Sequence, residues 1–260
     1  MEVQEHVEAV EVAGDLLVSA AERAGLGAPV PTCPDWRVRD LLAHMAGVHR
    51  WATSYLKSGR ANPVTIEEEA EFFAAPADAA LLSWSRDSCH ELVTALRGAN
   101  PAMRCWSFLP APSPLAFWAR RQAHETSIHA VDAQLAAGSA PGPFPPDLAA
   151  DGIDELVNGF YGRERSGPRS EQPVSLGIEA DDVEGAQWLV EFGPGRVVHP
   201  GARQARHCQL SGPASELYLV LWNRARVGSL PLAECGQGIK FVGDSDILET
   251  WQTRAKIKWG

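Results

Sequence analysis

The sequence predicts an α + (α+β) protein: an N-terminal four-helix bundle followed by a small α+β domain with a mainly antiparallel sheet. Three observations carry that reading. Four segments of about 20 residues in the first half show apolar residues at helical spacing. A proline- and glycine-rich stretch, Ser139-Ala140-Pro141-Gly142-Pro143-Phe144-Pro145-Pro146, interrupts the chain. Beyond it the pattern changes to short strand-like runs between turn residues.

The first helix is expected from about Glu5 to Ala24, with Val7, Val10, Val12, Leu16, Leu17 and Ala20 inward, and Gly25 and Gly27 end it. The second is expected to start at Cys33-Pro34-Asp35, because proline suits a first helical turn and Asp35 complements the positive end of the dipole. It runs to about Leu56 along Val38, Leu41, Leu42, Met45 and Val48. A third spans Ala77 to Leu96, and a fourth runs from Pro114 to Ala137 with Gly138 as its stop. After the hinge, 147–161 reads as helix, and 174–178, 188–192, 196–199 and 204–210 read as strands. Glu216–Arg224 forms a short helix, and Asp244-Ser245-Asp246 caps a last one through about Ile257. These signals place a bundle at 1–140 and an α+β domain at 147–260.

Composition narrows the function. Lys+Arg 23 against Asp+Glu 33 gives a formal charge of −10, so the surface repels phosphate backbones and anionic lipid. The basic and acidic counts are 11 and 18 over residues 1–150, and 12 and 15 over 151–260, so neither half suits a polyanion. No nucleic-acid or membrane partner is expected. The N-terminus opens with Glu2, Glu5 and Glu8 rather than a basic region and an apolar core, so no secretory leader is expected. Five cysteines with no CxxC pair read as reduced thiols. A cytoplasmic protein is the expectation.

The candidate chemistry lies on the fourth helix, in His124-Glu125-Thr126-Ser127-Ile128-His129-Ala130-Val131-Asp132. Glu125 and His129 are four apart and share a face, so a carboxylate and an imidazole there can chelate one divalent ion. The alternative is a surface ion pair, which is common and contributes little. On the second helix, His44 sits in the apolar stretch Leu41-Leu42-Ala43-His44-Met45-Ala46. It is either a neutral core histidine or a third ligand from a facing helix. Two histidines and one carboxylate leave an open position on zinc, the arrangement of a catalytic site. His49 and His124 point away from this set, and Asp132, one turn beyond His129, could accept a hydrogen bond from a ligand imidazole.

These residues also carry a family resemblance. The stretch Cys-Pro-Asp-Trp-Arg-Val-Arg-Asp-Leu-Leu-Ala-His-Met-Ala-Gly-Val-His-Arg-Trp (33–51) resembles the second-helix signature of the mycothiol-dependent maleylpyruvate isomerase family, whose N-terminal domain is a DinB-like metal-binding bundle. Residues 124–133 resemble the fourth-helix motif of the same family, and Gly-Pro-Ala-Ser-Glu-Leu-Tyr-Leu-Val-Leu-Trp-Asn-Arg (212–224) resembles its sterol-carrier-protein-like C-terminal domain. The resemblance implies zinc, or another divalent metal, on His44, Glu125 and His129, mycothiol as cosubstrate, and a functional arginine at Arg224. The chain departs from the family pattern in having Asn223 where glycine commonly precedes that arginine, and Ala130 where arginine often follows the second ligand histidine. From the residues alone, Arg224 near a helix end could equally compensate the C-terminal dipole.

The implied chemistry is thiol activation. A free thiol titrates near 8.5 and is mostly protonated at neutral pH, whereas coordination to zinc deprotonates it. No cysteine of the chain sits in a motif that supplies the nucleophile, so the thiol comes from a cosubstrate. In the isomerase reading the thiolate adds to a cis double bond, the resulting single bond rotates, and elimination releases the trans product. Arg224 would hold a substrate carboxylate, in a cleft between the two domains. One alternative is a mycothiol S-transferase that keeps the adduct. Another is a non-catalytic binder of an apolar ligand in the second domain.

Overall fold

The computed structural model describes residues 1–163, 167–194, 196–200, 207–227 and 238–255, with backbone alone over 196–200. The chain divides into two compact units, Met1–Pro141 and Gly142–Gly260.

The first unit holds α1 (Val3–Ala24), α2 (Val38–Ser58), the short α3 (Ile66–Phe72), α4 (Asp78–Gly98) and α5 (Pro114–Ala136). The four long helices form the expected bundle, with α1 against α5 and α4, and α2 against α4 and α5. Helix α5 starts where Ser113 accepts a hydrogen bond from the Ala116 amide, with Pro114 in the first turn, where its missing N–H costs nothing. It is buried along most of its length, including Gln122, His124, Glu125, Thr126 and Asp132. That is why its apolar periodicity is weak in sequence while its polar residues are far from solvent.

The inward face of α1 differs from the expected one. Val12 and Leu16 face solvent, at 61% and 43% exposure, while Ala13, Gly14, Leu17 and Val18 pack inward with Val7 and Val10. Gly14 permits the close approach of α4, since a Cβ there would collide with Cys89 Sγ.

Helix α2 also starts later than expected, at Val38. Cys33-Pro34-Asp35-Trp36 is a turn, closed by the Cys33 amide on Val30 O and the Trp36 amide on Cys33 O, and followed by a bridge between Pro29 and Arg37. Asp40 receives the Arg37 amide and is the acidic residue of the first helical turn, so Asp35, expected to complement the helix dipole, lies ahead of the helix. Helix α3 was not expected, because Ile66-Glu67-Glu68-Glu69 has no apolar periodicity; reciprocal hydrogen bonds between Thr65 and Glu68 start it.

The second unit starts with α6 (Pro146–Asp154), which continues as one turn and a half of π-helix, Glu155–Phe160. Strands β1 (Val174–Ala180), β2 (Gln187–Phe192), β3 (Arg196–Pro200), β4 (Cys208–Gly212) and β5 (Lys240–Gly243) form one sheet in the order β3-β2-β1-β4-β5. The sheet is mixed: β1 and β4 run parallel, in the register Leu176 to Cys208 and Ile178 to Leu210, and the other three pairings are antiparallel. The expected strand at 204–210 is present from Cys208, its first residues, 204–206, lying outside the described set. Strand β5 was not expected, since four residues ending in an exposed Val242 and a glycine show no alternation. Helices α7 (Ala214–Leu221) and α8 (Ser245–Arg254) complete the unit, and the expected extension of α8 past residue 255 lies outside the described residues. Trp251, fully buried, donates its indole N–H to Leu221 O and ties α8 to the end of α7. No helix among the described residues is long and apolar enough to cross a membrane.

Candidate metal centre

Helices α2 and α5 run antiparallel where they meet: His44 lies beside Glu125, His49 beside Thr126, and Tyr55 beside Trp118. This pairing brings the three sequence-selected residues together. His44 Nε2 is 3.4 Å from Glu125 Oε1, and His129 Nε2 is 3.5 Å from the same oxygen. The three donor atoms all lie within 4.8 Å of one another. Ligands about 2.1 Å from a tetrahedral zinc are separated from one another by about 3.4 Å. The donor set and its spacing therefore fit a divalent cation of the zinc class.

Each donor is held by its surroundings. His129 Nδ1 is 2.8 Å from Asp132 Oδ2, so in the neutral ring the proton sits on Nδ1 and the lone pair of Nε2 faces Glu125. Asp132 is fully buried and also accepts hydrogen bonds from Thr32 Oγ1 at 2.5 Å and from the Cys33 thiol at 3.8 Å. The turn that displaces the start of α2 is thereby anchored to α5. It also carries Trp36, whose half-buried ring lies 4.9 Å from the His44 ring and stacks 5.9 Å from that of His129. Phe73, 6.0 Å from His44 on the other flank, packs directly over Gly47, where any Cβ would collide with its ring. Trp36 thus packs against both histidine rings, and Phe73 against that of His44.

The electrostatics follow from burial and pairing. Burial pushes the Glu125 carboxyl up, but the Arg121 guanidinium and the hydrogen bonds to His129 and His44 outweigh it and hold it well below the usual carboxylate range. Glu125 is therefore anionic at neutral pH. Burial pulls His129 down, and the hydrogen bonds to Asp132 and Glu125 more than reverse this, so its pKa is raised. His49 goes the other way: full burial depresses it to about 3, and it is a neutral imidazole on Thr126 Oγ1 at 3.0 Å. As the spacing argument required, His49 and His124 stand outside the set; His124 meets the His6 ring edge-on at 6.0 Å.

Arg121 and Trp36 were missed by the sequence reading. Arg121 is 1% exposed and its Nη2 lies 2.8 Å from Glu125 Oε2. Its position four residues before Glu125 was a usable signal. Trp36 had none, because reading 33–36 as helix points it elsewhere.

Arg224 lies just past α7 in the second unit. Its amide donates to Leu219 O and its Nη1 to Trp222 O at 2.8 Å. The preceding Asn223 has φ 60°, the left-handed conformation at which helices commonly end on glycine. Asparagine is the residue that best replaces glycine there, so the departure at this position preserves the backbone path.

Comparison with known proteins agrees with the two-part fold. Residues 7–134 match the mycothiol maleylpyruvate isomerase N-terminal domain, and residues 147–249 match the MDMPI C-terminal domain. A comparison with curated protein sequences gives no significant match. Among solved structures, the crystal structure of the mycothiol-dependent maleylpyruvate isomerase aligns over 93% of both chains, with 17% identity and a TM-score of 0.60. A histidine-to-alanine mutant of that enzyme aligns over the same share, with 15% identity and a TM-score of 0.60. Two domain matches in the family's order, across the bundle and the mixed-sheet unit alike, establish that this chain belongs to the mycothiol-dependent maleylpyruvate isomerase family.

Proposed function

We propose that this protein is a metal-dependent enzyme that uses the thiol of mycothiol to isomerise a cis α,β-unsaturated dicarboxylate of the maleylpyruvate type. The observation that carries the reading is the convergence of His44 Nε2 and His129 Nε2 on one oxygen of a buried, ionised Glu125. His44, Glu125 and His129 would hold the cation. When bound, a divalent ion with a vacant coordination position lowers the pKa of a thiol and keeps its sulfur nucleophilic at neutral pH.

The chain's own residues supply the rest. Asp132 keeps the His129 proton on Nδ1, so that Nε2 is available as a donor. Trp36 packs against both histidine rings and Phe73 against that of His44, which limits how far the rings can turn. In the substrate, addition of the thiolate to one alkene carbon turns the double bond into a single bond and places the electron pair on the conjugated carbonyl. Rotation follows, and expulsion of the same thiolate restores the double bond in the trans form, so the thiol is regenerated. Arg224 is our candidate for binding a substrate carboxylate, on the strength of the family resemblance over 212–224.

The test is incubation of the metal-loaded protein with mycothiol and maleylpyruvate. Fumarylpyruvate formed without consumption of thiol supports the isomerase. A stable adduct formed in proportion to thiol lost would make the protein an S-transferase instead. Activity that survives complete removal of metal by a chelator would refute the metal-dependent reading.

A further inference from the structure

The metal reading leaves one charged side chain of the bundle interior unexplained. Arg121 lies one helical turn before Glu125 on α5, is 1% exposed, and meets Glu125 Oε2 at 2.8 Å. The other oxygen of the same carboxylate, Oε1, is the one that faces His44 Nε2 at 3.4 Å and His129 Nε2 at 3.5 Å. The two oxygens are thus divided, Oε2 to the guanidinium and Oε1 to the two imidazoles.

The order of this pair along the helix is not the one that helix stability favours. An isolated i,i+4 pair is more favourable with the carboxylate on the N-terminal side, and here the arginine precedes the glutamate. Removing two charges from water costs as much as their attraction returns in many buried pairs. A guanidinium beside a cation site also repels the cation. Arg121 keeps the buried carboxyl ionised, and its hold on one oxygen alone also fixes how the carboxylate is presented.

We propose that Arg121 is a positioning residue of the metal centre, reserving Glu125 Oε2 so that Oε1 is the one carboxylate oxygen offered between His44 and His129. The inference rests on the metal reading above and adds to it a reason why a bound cation would keep one position open to a thiol. A carboxylate free to use both oxygens can occupy two coordination positions, leaving less room for an incoming thiol. Sharing the carboxylate's charge with the guanidinium also leaves the cation a weaker donor on that side, and hence a stronger pull on sulfur. The rigid, permanently charged fork of arginine suits this task better than a lysine ammonium, which is a flexible point charge.

Cobalt(II) alone is the probe. The wild-type protein is expected to give the intense visible absorption of four-coordinate cobalt. Arg121→Met, nearly isosteric and uncharged, is expected to lose that intensity and shift the bands to shorter wavelength, as a fifth donor enters. Arg121→Lys is expected to restore part of the wild-type spectrum, which a merely structural role would not do. Stoichiometric cobalt binding by Arg121→Met with an unchanged spectrum overturns this proposal and leaves the metal reading intact. Failure of the wild-type protein to bind cobalt overturns the metal reading, and this proposal with it. Should Arg121→Met not fold, the infrared difference spectrum of the wild-type protein with and without zinc decides. A wide separation of the two carboxylate stretches, absent in Glu125→Gln, supports one-oxygen presentation, and a narrow one overturns it.

Discussion

Replacing His129 by alanine tests the metal centre most directly. The side chain makes two separable contributions. Its Nδ1 donates to the buried Asp132 carboxylate at 2.8 Å, and its Nε2 is one of the three donors converging within 4.8 Å. Losing a hydrogen bond to a buried charged group costs about 1.5–3 kcal/mol. The helix itself should not suffer, since alanine has the highest helix propensity and α5 is held by contacts along its whole length. The metal-free variant is therefore expected to keep its far-ultraviolet circular dichroism and to unfold at lower urea, by about 2 kcal/mol. The second contribution appears only with metal. Zinc at 100 times its Kd stabilises a protein that binds it only when folded by about 2.7 kcal/mol. The wild-type protein should show that gain in denaturation, and His129→Ala should show essentially none, with no stoichiometric zinc by elemental analysis after purification without added ions. Normal zinc content in a folded His129→Ala protein would refute the assignment of the three ligands. A collapse of helical content would refute the claim that the ligand face and the fold are separable.

Three further outcomes follow from the same geometry. Asp132→Asn replaces the acceptor of the His129 Nδ1 proton with a neutral amide, and zinc affinity measured by competition with a chelating dye should fall about 10- to 100-fold while three ligands remain. His49 has a pKa of about 3 when folded and about 6.5 when unfolded, so below pH 6.5 the unfolded chain takes up a proton that the folded one refuses. Stability is then lost as pH falls, by about 1.6 kcal/mol between pH 6.5 and 5, and His49→Gln should lose that much less over the same range in urea titrations; parallel curves would contradict it. At Asn223, with φ 60° and its Nδ2 on Ala255 O at 3.1 Å, alanine should be about 1 kcal/mol worse than glycine in thermal unfolding, since both lose the hydrogen bond and only alanine pays for the left-handed backbone.

The architecture and the three residues of the candidate metal site were legible in the sequence. Helical periodicity and the glycine and proline stops are local signals, and α1, α4 and α5 lie within a few residues of where those signals put them. Glu125 and His129 could be paired because one helix fixes their separation, and His44 was their candidate third partner because a bundle can offer a histidine from a facing helix. What the tertiary structure decided is everything that depends on two distant segments meeting. The 32–36 segment is a turn rather than a first helical turn because Thr32 and Cys33 bond to Asp132, about a hundred residues away, and because Pro29 bridges Arg37. Only that turn brings Trp36 onto His44 and His129. Which face of α1 is inward was likewise settled by packing, where alanine and glycine allowed closer approach than Val12 and Leu16 could. The short strand β5 owes its existence to the edge of β4 that it pairs with. Propensity and spacing act within a few residues, whereas hydrogen-bond partners and close packing are chosen by the folded chain as a whole.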